Sequence, residues 1–238
     1  MKQKIIAWIR RQIKEAKAKG VVVGISGGVD SAVVAALCSQ ALSSNKVLGL
    51  ILPCFSQKKD LIDANLIVKT LKIKVKSVDL APVYKTCLKL LPDGNQLALG
   101  NLKSRLRMMI FYYFANKLNY LVCGTSNKSE RLMGYFTKYG DGAADILPLG
   151  DLLKTQVKEL AKELNLPQRI IDRTPTAGLW PGQTDEAELG ISYEQLDNIL
   201  LSLSGKKPQI QPARLVHKVN SRIKTSEHKR QLPKICKI

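Results

Sequence analysis

At 238 residues and 45 % apolar content the chain can bury one full core, and 38 Lys and Arg against 19 Asp and Glu leave a formal charge of +19. That excess calls for an anionic partner without choosing between a nucleotide and a nucleic acid. The five cysteines are scattered, odd in number and free of any Cys-x-x-Cys pair, and the histidines number two, so a reducing, cytoplasmic setting is expected and a zinc site is not.

Ile5, Ile6, Trp8, Ile9 and Ile13 recur near helical spacing and predict an amphipathic first helix, with Gly20 placed to stop it. Lysines and arginines run through residues 1–20, which excludes a signal peptide or a membrane span, and no membrane role is expected. Residues 21–23 are β-branched and favour a buried strand; residues 32–38 read as a helix. Residues 46–52 hold the continuous apolar run of a strand covered on both faces, and residues 60–71 form the next helix. In residues 73–78 Lys74 and Lys76 alternate with Ile73, Val75 and Val78, which suits a strand nearer an edge. A helix is predicted over 82–91, a turn-rich link over 92–100, a long helix marked by Leu102, Leu106, Met109, Ile110, Tyr113, Phe114 and Leu118, and a fourth strand over 120–123.

Strands alternating with helices predict an α/β, Rossmann-like fold: a parallel sheet with helices on both faces and its ligand site beyond the carboxyl ends of the strands. Residues 124–151 are irregular and rich in Gly, Thr, Lys and Asp, which in a compact domain marks function. Val157, Leu160, Ala161 and Leu164 restore helical spacing. Residues 174–190 would serve as a mobile lid, and helices over 192–203 and 213–219 form a C-terminal helical extension before a basic tail. No internal repeat interrupts what reads as one domain over residues 1–238.

The stretch from Gly24 and Ile25 through Ser26, Gly27, Gly28, Val29, Asp30 and Ser31 joins a strand to a helix through two glycines. Free N–H groups and the positive end of a helix suit a polyphosphate there. No lysine follows the glycines, so this is not the Gly-x-x-x-x-Gly-Lys loop. It resembles the Ser-Gly-Gly-x-Asp-Ser signature of the ATP pyrophosphatases, which cut ATP between its α and β phosphates.

Five further stretches appear in order: Gly100-Asn101-Leu102-Lys103-Ser104-Arg105 opening the long helix; Gly124-Thr125-Ser126-Asn127-Lys128-Ser129-Glu130 and Gly134-Tyr135-Phe136-Thr137-Lys138-Tyr139-Gly140-Asp141 in the irregular span; Pro175-Thr176-Ala177-Gly178 onward to Glu186; and Glu227-His228-Lys229-Arg230. Together with the first they resemble the ammonia-dependent NAD synthetases over nearly the whole chain. That resemblance implies an adenine nucleotide alpha hydrolase-like fold and a two-step reaction in which deamido-NAD attacks ATP, releasing pyrophosphate, and ammonia then displaces AMP to give NAD. It further implies ATP contacts from residues 24–31, Thr125, Lys154 and Thr176, magnesium on Asp30 and Glu130, and deamido-NAD contacts from Arg105, Lys138, Asp145, His228 and Lys229. Asp141 and Gln57 are additional candidate contacts. A homodimer, free ammonia in place of a fused glutaminase domain, a glutaminase on another chain as the ammonia source and no nucleic-acid partner follow from the same resemblance.

Ser104 stands where relatives often carry alanine, and residues 202–224 match no motif. The alternative that shares the first signature is a tRNA-modifying pyrophosphatase that adenylates a base, which a charge of +19 would suit. Thiolating members need paired or persulfide cysteines, and none are near each other in this sequence.

Overall fold

The computed structural model describes residues 1–205 and 211–237. Four parallel strands, β1 (Gly20–Gly24), β2 (Val47–Ile51), β3 (Lys74–Ser77) and β4 (Tyr120–Cys123), form one sheet in the order β3-β2-β1-β4. Side chains alternate across β1: Val21 and Val23 enter one apolar cluster with α1 (Lys2–Glu15), α2 (Val29–Leu42), α7 (Lys154–Glu163) and α8 (Gln168–Ile171), whereas Val22 enters the other. That second cluster holds Leu48 and Leu50 of β2, Tyr84 of α4 (Ala81–Leu90) and Leu106 and Ala115 of α5 (Gln96–Leu118). Both faces of the sheet are thus covered, as the apolar runs require. All four residues of β3 are exposed, in keeping with its edge position and its lysines.

Ten residues of α2 are buried, so this helix is apolar all round and lies in the centre of the molecule. After β2, α3 (Lys58–Leu71) packs onto the α2 side through Ala64 and Ile67. A third cluster joins α6 (Lys128–Leu132), α9 (Asp185–Leu189), α10 (Tyr193–Leu203) and α11 (Ala213–Thr225) through Met133, Leu189, Leu196, Ile199 and Val219. This is the predicted C-terminal extension; α11 runs longer than residues 213–219, and residues 206–210 of the unmatched stretch lie outside the described residues.

Two boundaries differ from expectation. The first helix ends at Glu15, and Lys17 takes the left-handed turn (φ 51°) that Gly20 was expected to supply. Gly20 instead opens β1, where a Cβ would lie 2.3 Å from the Lys46 carbonyl oxygen and 2.6 Å from the Tyr120 ring, so close strand packing requires glycine there. The link over 92–100 is shorter than predicted, because Asn95 accepts a hydrogen bond from the Ala98 N–H (2.9 Å) and starts α5 at Gln96.

The chain leaves β1 toward β2 and β3 on one side and reaches β4 on the other. The crevice beyond the carboxyl ends of β1 and β4 is therefore the point where strand order reverses, the expected place for a ligand in an open α/β sheet. Among the described residues, no helix is long and apolar enough to cross a membrane.

Candidate active site

A cavity of about 810 Å³ opens at that crevice, and Ser26, Asp30, Thr125, Glu130, Lys154 and Thr176 all line it. Its floor is the β1–α2 turn. Gly27 takes φ +85°, and a Cβ there would lie 2.7 Å from both an Arg173 terminal nitrogen and the Asp60 carbonyl oxygen. Ser31 donates to the Gly28 carbonyl (2.8 Å) and Ser26 Oγ accepts from the Gly28 N–H (3.3 Å), which pins the loop while α2 aims its N-terminus into the cavity.

Two strand exits deliver the paired carboxylates. Asp30 stands in the first turn of α2 after β1, and Glu130 in α6 after β4, where Asn127 and Glu130 form a reciprocal capping box. Lys154, at the start of α7, lies between them: its Nζ donates to Asp30 Oδ2 at 2.5 Å and to Glu130 Oε1 at 3.0 Å. Expected on sequence grounds at an exposed helix start, its side chain is only 2 % exposed. The Tyr193 ring centroid, 5.0 Å from Nζ, covers the ammonium. Asn127 Nδ2 donates to the other oxygen of Asp30 (2.9 Å), tying the two exits together.

Burial pushes the Glu130 carboxyl up to about 7, against the pull of Lys154 and with the added push of Asp30 and Asp185. Burial also opposes the charge on Lys154, but Asp30 and then Glu130 outweigh it and hold the ammonium protonated well above the ordinary lysine range. The site is thus a cation clamped by two carboxylates in a low-dielectric pocket, a pairing that keeps its charges only while every partner is present.

Sequence reasoning missed three carboxylates that complete this region. Asp185 is 4 % exposed; its Oδ2 accepts from the Tyr193 hydroxyl (2.9 Å), while its Oδ1 is buried without a hydrogen-bond partner among the described residues. Asp197 accepts from Ser129 Oγ (2.5 Å) and from both the N–H and hydroxyl of Thr155 (2.8 and 2.9 Å), so one buried carboxylate aligns the neighbours of Glu130 and Lys154. Asp63, fully buried, accepts from Arg169 (2.6 Å) and Arg173 (3.0 Å), and Arg173 also pairs with Asp60, which braces α3 and the lid stem against the Gly27 turn. An oxygen-only donor set with one orphaned acceptor fits a hard divalent cation that keeps water and phosphate ligands. Among the described residues no group of three or more His, Cys, Asp or Glu could hold a metal by itself.

The other end of the cavity is built from residues 134–141 and the tail. Arg105 donates to the Lys138 carbonyl (3.3 Å), Lys138 Nζ to the His228 carbonyl (2.7 Å), and Lys229 Nζ to the Gly134 and Phe136 carbonyls (2.7 Å each). These cations rest on backbone oxygens and not on carboxylates. Arg105, Lys138, Asp141, His228 and Lys229 all line the cavity. Three candidates do not, Gly27 of the cradle among them. Asp145 caps the Val122 N–H of β4 (2.7 Å) and accepts from Tyr112 (3.3 Å), away from the lining; Gln57 is an exposed N-cap of α3.

Ser104 has a function that alanine would lack: it donates to Asp141 Oδ1 (2.7 Å) and accepts from the Asp141 N–H (2.9 Å), fixing the 137–141 turn against α5. Ser104→Ala is expected to cost about 1–2 kcal/mol in a thermal melt, as two buried hydrogen bonds are lost. Cys38 and Cys123, distant in sequence, bring their sulfurs within 3.6 Å in the core, both free thiols. Burial pushes the Cys123 thiol well up, which leaves it a poor nucleophile.

The family model described as NAD synthase matches residues 1–233. The chain belongs to the NAD synthase family. It is 49 % identical over 242 residues to the NH(3)-dependent NAD(+) synthetase of Methanocaldococcus jannaschii, spanning 97 % of this chain and 93 % of that one. Against the enzyme of the same name from Carboxydothermus hydrogenoformans it is 45 % identical over 238 residues, 98 % of this chain and 95 % of the relative. The solved structure of an NMN synthetase from Francisella tularensis superposes with a TM-score of 0.91 at 40 % identity, over 100 % of this chain and 97 % of the other.

Proposed function

We propose that this NAD synthase family member is a carbon–nitrogen ligase that amidates deamido-NAD with ammonia, consuming ATP and releasing AMP and pyrophosphate through an acyl adenylate. The carrying observation is one continuous cavity with an anion cradle and a carboxylate–lysine clamp at one end and a cluster of carbonyl-held cations at the other. The cradle receives the polyphosphate of ATP, Thr125 and Thr176 flank it, and Arg105, Lys138, His228, Lys229 and Asp141 face the acid. Asp145 and Gln57 join the substrate contacts only after rearrangement or from outside this cavity.

Asp30 and Glu130 would hold magnesium, which supplies positive charge against the departing pyrophosphate. Lys154 adds a fixed cation to the same region without reorganising, because both carboxylates and the Tyr193 ring already position it. Residues 174–190 exclude water: Lys103 donates to the Leu179 carbonyl (2.8 Å), which ties the lid to α5, and Thr176 donates to the Gln183 carbonyl (2.7 Å), which closes the lid on itself. Free ammonia is the nitrogen source, a separate glutaminase supplies it where needed, and the chain works as one domain in the cytoplasm. Met109 and Tyr113, exposed one turn apart on α5, support a homodimer. No RNA partner is required: a thiolating tRNA-modifying enzyme needs paired cysteines in reach of substrate, and the pair that the fold brings together, Cys38 with Cys123, is buried.

The NMN synthetase likeness supports a second reading, in which the acid is a mononucleotide. Initial rates with each nucleotide, and with ammonium or glutamine, separate these. The proposal expects kcat/KM to favour deamido-NAD and ammonium; preference for the mononucleotide establishes the second reading, and preference for glutamine overturns the nitrogen source.

Because Glu130 must be ionised to hold a cation, kcat/KM is expected to fall as pH drops through about 7. A pH–rate profile flat from 8 to 6 contradicts this role.

A further inference from the structure

Arg107 is a cation of the cavity that neither the paired carboxylates nor the tail uses. It lines the cavity from α5, and its Nε donates to the Leu52 carbonyl (3.0 Å), just beyond the end of β2. Lys154 and Arg173 have their charges balanced by two carboxylates each. Arg107 has no ion pair among the described residues; the Cys54 thiol, and after it Asp141 and Asp60, act on it only at longer range. Those two residues mark opposite ends of the cavity: Asp141 belongs to the acid-binding turn, and Asp60 stands beside the Gly27 cradle. Arg105, two residues earlier, points about 200° away around the helix toward Lys138. α5 thus presents one arginine to the acid and a second to the place where acid and nucleotide meet.

Resting on the amidation reading above, we propose that Arg107 is a catalytic residue that grips the α-phosphate throughout its transfer. In the first step a carboxylate oxygen of the acid forms a bond to the α phosphorus, the bond from that phosphorus to the bridging oxygen breaks, and pyrophosphate leaves with the electron pair. In the second, the ammonia lone pair forms the carbon–nitrogen bond, the acyl carbon–oxygen bond breaks, AMP leaves with that pair, and the nitrogen releases a proton to solvent. The α-phosphate carries charge in both steps. A planar guanidinium, anchored through Nε, offers its remaining N–H groups as a fork matched to two phosphoryl oxygens. Burial also lowers the Arg107 pKa, outweighing the opposite pull of Cys54, Asp141 and Asp60.

The test compares the full-length protein with Arg107→Gln and Arg107→Lys. Rapid-quench mixing with ATP, magnesium and deamido-NAD, without ammonium, reads pyrophosphate and enzyme-bound adenylate in the first turnover. For Arg107→Gln a drop of about 100-fold or more is expected, with the KM for ATP within about 3-fold, as befits a contact made mainly in the transition state. For Arg107→Lys, which keeps the charge and loses the fork, an intermediate rate is expected. A glutamine variant within about 5-fold of the original overturns the proposal, as does a loss seen only as a raised KM for ATP. If the glutamine variant does not fold, the lysine variant decides alone: an unchanged first-turnover rate overturns the proposal, and a loss of about 10-fold at unchanged melting temperature upholds it. If the original protein makes no NAD, the amidation reading itself fails; active original and variants alike remove only Arg107.

Discussion

Replacing Lys154 by methionine is expected to abolish NAD formation and to destabilise the protein by about 3–5 kcal/mol at pH 8, because breaking a buried ionic group leaves uncompensated charge behind. Asp30 and Glu130 would then face each other, with Asp185 nearby, in a pocket where only the ammonium now balances them. The sign of the pH dependence follows from the same geometry. Lys154 pulls the Glu130 pKa down, so its removal raises a value that already stands near 7 against 4.5 for a free glutamate. The folded variant therefore binds a proton that the unfolded chain releases over the interval above 4.5. Its stability is lost as pH rises through the folded pKa and recovered as pH falls toward the unfolded one. The melting deficit relative to the original protein should be large at pH 8 and shrink at pH 5.5. A deficit independent of pH would mean that lost packing of the lysine stem, not the exposed carboxylate charge, accounts for the effect.

Asp30→Asn is expected to separate chemistry from fold. The asparagine keeps one acceptor oxygen and turns an amide N–H₂ toward either Asn127 or Lys154, both donors at 2.9 and 2.5 Å. That mismatch should cost about 1–3 kcal/mol in a melt and leave the protein folded. The loss in kcat should reach about 1,000-fold, because the proposed magnesium ligand and the partner that fixes Lys154 disappear together. Full activity in this variant removes Asp30 from the metal site.

Where apolar runs were continuous, as in β1, β2 and β4, strands and their order of burial were legible in the sequence, since a two-face-covered strand leaves no other pattern. The beginning of α5 was not, because Pro92, Gly94 and Asn95 read as turn residues and only the Asn95 cap reveals that they precede a helix closely. Asp30, Glu130 and Lys154 were legible as motif members, but their convergence is a product of the sheet order, which sets β1 beside β4. Asp63 and Asp197 carried no local signal, and Asp185 was legible only as part of the stretch that ends at Glu186, with no role attached to it. A buried carboxylate differs from a solvated one only through its partners, and those of Asp63 and Asp197 lie far along the chain in Arg169, Arg173, Ser129 and Thr155. The meeting of Cys38 with Cys123 was hidden for the same reason.

In the proposed reaction this cavity joins a carboxylate to the α-phosphate of ATP. The direct measurement supplies deamido-NAD labelled with ¹⁸O in its nicotinate carboxyl, together with ATP, magnesium and ammonium, and analyses the products by mass spectrometry. NAD, pyrophosphate and AMP are expected, with one labelled oxygen carried on the AMP phosphate. ADP and phosphate, or AMP without label, would contradict the proposed reaction.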